Sequence, residues 1–206
     1  MFIKVKNVGF GTGPELVTKC PACGHDATFE RIGNLSDFNN GQVWIGQRMC
    51  PNPSCYSLLF FIRTTDRILA TFPALRIDFE REGIPEKVLS ILEETISCHA
   101  NNCFIAAAIM VRKTLEEICF DRGAKGSNLK LRIQDIGSKI IIPKELLEGM
   151  DELRLLGNDA THFESKIFDK IDKEEVDIAI EFTKEILRAV YQYEHLLKRL
   201  KSLKKP

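Results

Sequence analysis

The hydrophobic rhythm of the chain changes once, near Gly83-Ile84-Pro85. Before that point apolar residues come in short aromatic and β-branched runs, among them Val43-Trp44-Ile45 and Ser57-Leu58-Leu59-Phe60-Phe61-Ile62, punctuated by Gly and Pro. Such side chains suit a pleated, half-buried surface, so these runs predict short strands. Beyond it, apolar residues recur at three- and four-residue steps with few Gly or Pro, the spacing that aligns one face of a helix. The expected fold class is therefore α+β with the two kinds segregated: a small β-rich module over residues 1–84, then an all-α bundle over residues 85–206 with a basic tail.

Individual helix ends are legible too. Pro85 suits a first helical turn, where a missing N–H costs nothing, and Val88, Ile91, Leu92 and Ile96 make the first stripe. Ile105, Ala108, Ile109, Arg112, Leu115 and Cys119 continue as a second helix, which Gly123 is placed to end in a left-handed cap. Asn128 can cap a short helix carrying Leu129, Ile133 and Ile136, and Pro143 opens another through Leu146, Leu147, Met150 and Leu153. Asp172 and Glu175 have capping-box spacing at the start of a long helix running from Val176 to Leu200.

Composition narrows the function classes. The 206 residues are 44% hydrophobic and 28% charged, enough to build a core. Lys and Arg total 29 and Asp and Glu total 29, which argues against a protein that coats nucleic acid by bulk attraction. The balance is uneven along the chain: residues 85–197 hold fifteen basic and twenty-one acidic side chains, while the tail from Lys198 holds five basic and none acidic. No run approaches the roughly 18 apolar residues of a membrane span, and Met1-Phe2-Ile3-Lys4 does not begin a secretory signal. A cytoplasmic location with no membrane partner is expected, and there seven cysteines point to metal binding or buried thiols ahead of disulfides.

Four of those cysteines fall in two pairs, Cys20-Pro21-Ala22-Cys23-Gly24 and Cys50-Pro51-Asn52-Pro53-Ser54-Cys55, with 26 residues between them. Tight Pro- and Gly-bearing turns let two thiolates approach one ion, and two such turns complete a tetrahedral four-sulfur site. The expectation is one structural Zn2+ per chain held by Cys20, Cys23, Cys50 and Cys55 in a zinc ribbon, compensating for a core too small to hold alone. A redox Cys-x-x-Cys pair, or four unrelated buried thiols, are the alternatives; the second pair and the lack of a βαβ setting weigh against the redox one. His25 is read as a bystander, and Cys98, Cys103 and Cys119, which lack metal spacing, as packing residues.

In the helical region one segment carries misplaced polarity: Arg154-Leu155-Leu156-Gly157-Asn158-Asp159-Ala160-Thr161-His162. Arg154 projects within the apolar arc set by Leu147 and Met150. If the helix continued, Arg154, Asn158 and His162 would stack on one face; if Gly157 ended it, Asn158 or Asp159 would turn the chain and His162 would begin the next element. The bland reading pairs Arg154 with a buried acid such as Glu116 or Glu117 and packs His162 in the bundle.

Together with Ala106-Ala107-Ala108 through Arg112-Lys113-Thr114-Leu115-Glu116-Glu117-Ile118 and the helix from Phe182 to Tyr191, this segment resembles a HEPN-superfamily domain over about residues 73–197. More narrowly it is similar to a bacterial domain-of-unknown-function branch that often carries an N-terminal zinc ribbon and is also found fused to restriction-enzyme subunits. The resemblance implies a homodimer in which two Arg…His motifs face one another and, in active members, a metal-independent ribonuclease of defence or toxin–antitoxin context. His162 would take the 2′-hydroxyl proton, Arg154 would neutralise the phosphorane and Asn158 would orient phosphate or imidazole. The interval from Arg154 to His162 is longer than that pattern's usual one, and Leu155 stands where a polar residue often follows. A non-catalytic homodimeric binding or regulatory module, recruiting a protein partner, is the other expectation.

Overall fold

The computed structural model describes residues 9–161 and 171–204. Two compact units divide the chain, Met1–Asp78 and Phe79–Pro206. The first is β, the second helical, so the segregated α+β class holds.

In the first unit, β1 (Gly9–Gly11), β4 (Asp37–Asn39), β5 (Trp44–Met49), β6 (Leu58–Arg63) and β7 (Ile68–Phe72) form an antiparallel sheet in that spatial order. The hairpin β2 (Leu16–Lys19) and β3 (Asp26–Phe29) forms a second, two-stranded sheet. The two aromatic runs of the sequence thus become β5 and β6, paired from Trp44↔Arg63 to Met49↔Leu58. Alternation along β6 buries Leu59 and Phe61 and exposes Leu58 and Phe60, as a pleated strand with one covered face must. The core is Leu16, Cys20, Phe29, Cys50, Leu59 and Phe61, with Trp44, Cys55 and Ile68 packed against it. A bridge between Glu30 and Met49, with N–H···O bonds of 2.9 and 2.8 Å, ties the end of the hairpin to the end of β5. That bridge sets the chain entering the second cysteine pair beside the hairpin that carries the first.

A buried ion pair also lies in this unit. Arg48 on β5 donates to both Asp37 oxygens on β4, Nη1 to Oδ1 at 2.7 Å and Nη2 to Oδ2 at 2.6 Å, with each side chain 2% exposed. Gly13 N–H adds a third bond to Oδ2 at 2.9 Å, and the guanidinium lies over the Phe61 ring at 4.7 Å. Burial alone would raise the Asp37 pKa; the Arg48 bonds, the Gly13 amide and the Arg48 and Arg31 charges overcome it and hold the carboxyl below its ordinary value.

The helical unit comprises α1 (Glu86–Ala100), α2 (Phe104–Asp121), α3 (Leu129–Lys139), α4 (Lys144–Asp159), α5 (Lys173–Leu187), a π turn (Arg188–Gln192) and α6 (Tyr193–Ser202). Helix α2 is the hub, contacted by α1, α3, α4 and α5, and it buries Ala107, Ala108, Val111, Thr114, Leu115 and Ile118. Small residues on its first two turns let neighbours approach closely. The caps follow the sequence expectations. Asn128 accepts from Leu131 N–H at 3.0 Å, Asp172 and Glu175 form the capping box, and Gly123 (φ 63°) closes α2 with Ala124 N–H bonded to Cys119 C=O. One expectation needs correcting: the long final helix is not uniformly α, because the ladder slips to π spacing over Arg188–Gln192 before resuming as α6. Hydrophobic periodicity does not register an inserted residue of that kind.

Candidate functional site

Each cysteine pair sits in a knuckle of the same design. In the first, between β2 and β3, Cys20 N–H bonds His25 C=O at 2.9 Å and Gly24 N–H bonds Cys20 C=O at 2.9 Å. In the second, between β5 and β6, Cys50 N–H bonds Ser57 C=O at 2.9 Å and Cys55 N–H bonds Asn52 C=O at 2.9 Å. Each knuckle turns back through a left-handed residue directly after its second cysteine, Gly24 (φ 74°) in one and Tyr56 (φ 48°) in the other. Gly24 takes that conformation freely, whereas Tyr56 bears its steric cost.

The four sulfurs converge. All lie within 4.8 Å of one another, with Cys20 Sγ 3.9 Å from Cys55 Sγ and Cys23 Sγ 3.7 Å from Cys50 Sγ. An ion about 2.3 Å from each of four tetrahedral sulfurs requires edges of about 3.8 Å, so the donor set fits a metal ion. Polar neighbours face the sulfurs as well: Asn52 Nδ2 stands 3.6 Å from Cys23 Sγ and Ser57 Oγ 3.0 Å from Cys55 Sγ. The environment splits the thiols. Burial pushes Cys20 up and Cys50 up to about 12, while the Ser57 hydroxyl and amide bring Cys55 down to about 7. Four mutually close sulfurs of which two resist ionisation become four thiolates only when a cation compensates them. Cys20, Cys23, Cys50 and Cys55 therefore form a candidate metal centre in which all four positions would be protein sulfurs.

The second cluster lies between α2 and α4. Helix α4 runs through Gly157 to Asp159, so that glycine is not a terminator. It is buried against α2, where an added Cβ would come within 2.5 Å of Arg112 Cβ. This close approach lets Arg112 reach along α4: Nη1 donates to Asn158 Oδ1 at 2.7 Å and to Arg154 C=O at 3.2 Å, while Nε stands 3.3 Å from Glu116 Oε1. Arg154, 13% exposed, sends Nε to Asp151 Oδ1 at 2.6 Å one turn back. The sequence alternative that pairs Arg154 with Glu116 or Glu117 is not what forms; Glu116 takes Arg112, and Glu117 takes Lys87 at 2.9 Å. Arg154 and Asn158 share a face of α4, as the four-residue spacing requires, and His162 lies outside the described residues.

Arg112 is the member of this cluster that sequence reasoning passed over. Its signal was the same as that of Arg154: an arginine inside a helical apolar stripe, between Ile109 and Leu115. Two such arginines on separate helices of one bundle are each other's natural neighbours, because each needs a polar pocket that the core does not otherwise supply.

A β unit that gathers four cysteine sulfurs into a candidate metal site and a helical bundle crossed by an arginine–amide–carboxylate network define a protein of β-module plus helical-domain type. Residues 93–205 match the profile of the domain of unknown function DUF4145, more than half of the chain, and the chain belongs to that family. No curated protein and no solved structure matches it. No helix among the described residues is long and apolar enough to cross a membrane.

Proposed function

We propose that the helical unit is a HEPN-like, homodimerising binding or regulatory module, and that the ion of the β unit is Zn2+. The observation that carries this reading is the closure of the polar cluster within one chain: Arg112 is matched by Glu116 and Asn158, and Arg154 by Asp151. Each guanidinium is neutralised by a carboxylate of its own helix and has little charge left for an incoming phosphate, while of the two it is Arg112 that ties α2 to α4, through the Asn158 amide and the Arg154 carbonyl. The excess of acidic residues over the bundle body points the same way, toward a protein partner. The partner expected from the resemblance is a component of a defence or toxin–antitoxin system. Zn2+ is favoured because four soft thiolates at tetrahedral spacing suit a closed, redox-inert site.

A second reading, a metal-independent endoribonuclease, rests on Arg154 and Asn158 sharing one face of α4 just ahead of His162. There His162 would accept the 2′-hydroxyl proton and Arg154 would stabilise the phosphorane, with a second copy completing the site. One experiment divides the two. RNA incubated with the full chain without added metal, followed by end analysis, should give no 2′,3′-cyclic phosphate above background, while Arg154→Ala lowers the melting temperature of the chain. Cyclic-phosphate ends that vanish in His162→Ala would reject the binding-module reading in favour of the nuclease.

A further inference from the structure

Two cysteines outside the metal centre occupy related positions at the α1–α2 connection. Helix α1 ends at Ala100 and α2 begins at Phe104 with Cys103 as its N-cap. The link is a Schellman motif: Cys103 N–H bonds Cys98 C=O at 2.9 Å, Asn102 N–H bonds His99 C=O at 2.9 Å, and Asn102 takes the left-handed position at φ 60°. Cys98 and Cys103 stand at the two positions whose side chains approach one another across such a motif.

Covalent geometry bounds their separation. A carbonyl oxygen is about 2.4 Å from its own Cα and an amide nitrogen about 1.46 Å from its own, so the Cys103 N–H to Cys98 C=O bond holds the two Cα atoms within about 6.8 Å. Cα atoms joined by a disulfide are about 4.4–6.8 Å apart, so a bond needs side-chain rotation with little backbone movement. Access is also favourable: Cys103 is exposed and Cys98 half-buried, and both are free thiols. The Cys103 sulfur leans toward Asn101 C=O at 3.7 Å, on the turn itself. Burial, with the Cys103 and Glu94 charges, pushes the Cys98 thiol up, and the exposed Cys103 is the one an incoming disulfide reaches first.

We infer that Cys98 and Cys103 form a reversible thiol–disulfide modification site, separate from the four-cysteine centre, that small soluble disulfides of the glutathione type oxidise. The Cys103 thiolate attacks one sulfur of the soluble disulfide, forming a mixed disulfide and expelling one small thiolate, which takes up a proton. Cys98, after losing its proton, attacks Cys103 Sγ and expels the second small thiol. The protein loses two thiol protons and two electrons, and the soluble disulfide takes them up to become two thiols. The new bond clamps the last turn of α1 to the first of α2.

The test uses the full metal-loaded chain equilibrated with oxidised glutathione, blocked with iodoacetamide and digested with trypsin. Cleavage after Lys87 and Arg112 leaves both cysteines, and no other cysteine, in the peptide Val88–Arg112. The expected product is that peptide lighter by two hydrogens and carrying no alkyl group, restored to the doubly alkylated form by dithiothreitol. In Cys98→Ser, Cys103 should retain a glutathione; in Cys103→Ser, Cys98 should remain alkylatable. A doubly alkylated wild-type peptide, or a wild-type peptide that keeps glutathione on Cys103, would overturn the inference. Both substitutions are close in size, one half-buried on the last turn of α1 and the other at the exposed N-cap of α2, so a folded variant is expected in each case.

Discussion

Asp37 and Arg48 carry the strongest electrostatic commitment in the β unit: both are almost wholly buried, joined by two short bonds, and supported by the Gly13 amide and the Phe61 ring. Removing one charge from such a pair strands the other, at a cost of about 3–5 kcal/mol. Because the folded Asp37 carboxyl titrates below its unfolded value near 3.8, its contribution is fully present above that value and is lost as pH falls through the folded pKa. Asp37→Asn should therefore be markedly less stable than wild type at neutral pH, with a gap that stays level down to about pH 5 and narrows below about pH 4. Denaturant melts of both proteins across that range check it; a gap that stays constant to the lowest pH would contradict the assigned pairing.

At the scale of elements, the contact that fixes the α2–α4 crossing is Gly157 against Arg112. Gly157→Ala adds a methyl where the Arg112 side chain begins, a rigid point rather than a flexible end. The helices must separate, costing about 1–3 kcal/mol despite the better helix propensity of alanine. Thermal melting followed by helical circular dichroism should shift downward; an upward shift would mean that propensity outweighs the close approach. The same contact explains what the sequence could and could not convey. Local signals were legible because their cause is local: Asn128, Asp172 with Glu175, and Gly123 each act within a few residues, and each caps a helix where expected. The cysteine cluster was legible because tight turns at the two pairs leave few ways to arrange four sulfurs. Arg112 with Asn158, and Arg48 with Asp37, depend on how separate elements pack, and no spacing along the chain encodes a partner 46 or 11 residues away. Gly157 shows the ambiguity plainly, since a helix-ending glycine and a glycine needed for close packing look alike until the neighbouring helix is present.

For the whole molecule, the two units differ in what holds them together. The helical unit buries a continuous stripe from α1, α2, α4 and α5 and has the core of an ordinary small bundle. The β unit has a core of six buried residues, two of which, Cys20 and Cys50, are themselves metal ligands in waiting. An ion held by the four cysteines would tie the stability of this unit to metal binding, as in other small domains whose metal-binding free energy is folding free energy. The sole tryptophan, Trp44, packs against that core, so its fluorescence reports on the β unit alone, while far-ultraviolet circular dichroism is dominated by the helices. A strong chelator should change the Trp44 emission to that of a solvent-exposed indole and leave most of the helical signal intact. Acid should act in the same direction. An ion here would need thiolates; burial pushes Cys20 up and Cys50 up to about 12 while the Ser57 bonds bring Cys55 down to about 7, so each step below neutrality should add a competing proton at Cys55 to those on Cys20 and Cys50. Metal affinity measured by competition with a chromophoric chelator should fall with decreasing pH, and more steeply below about pH 7 than above it. Loss of the helical signal together with the Trp44 change would mean that the bundle depends on the ion as well. A metal affinity indifferent to pH would mean that the four cysteines do not bind it as thiolates.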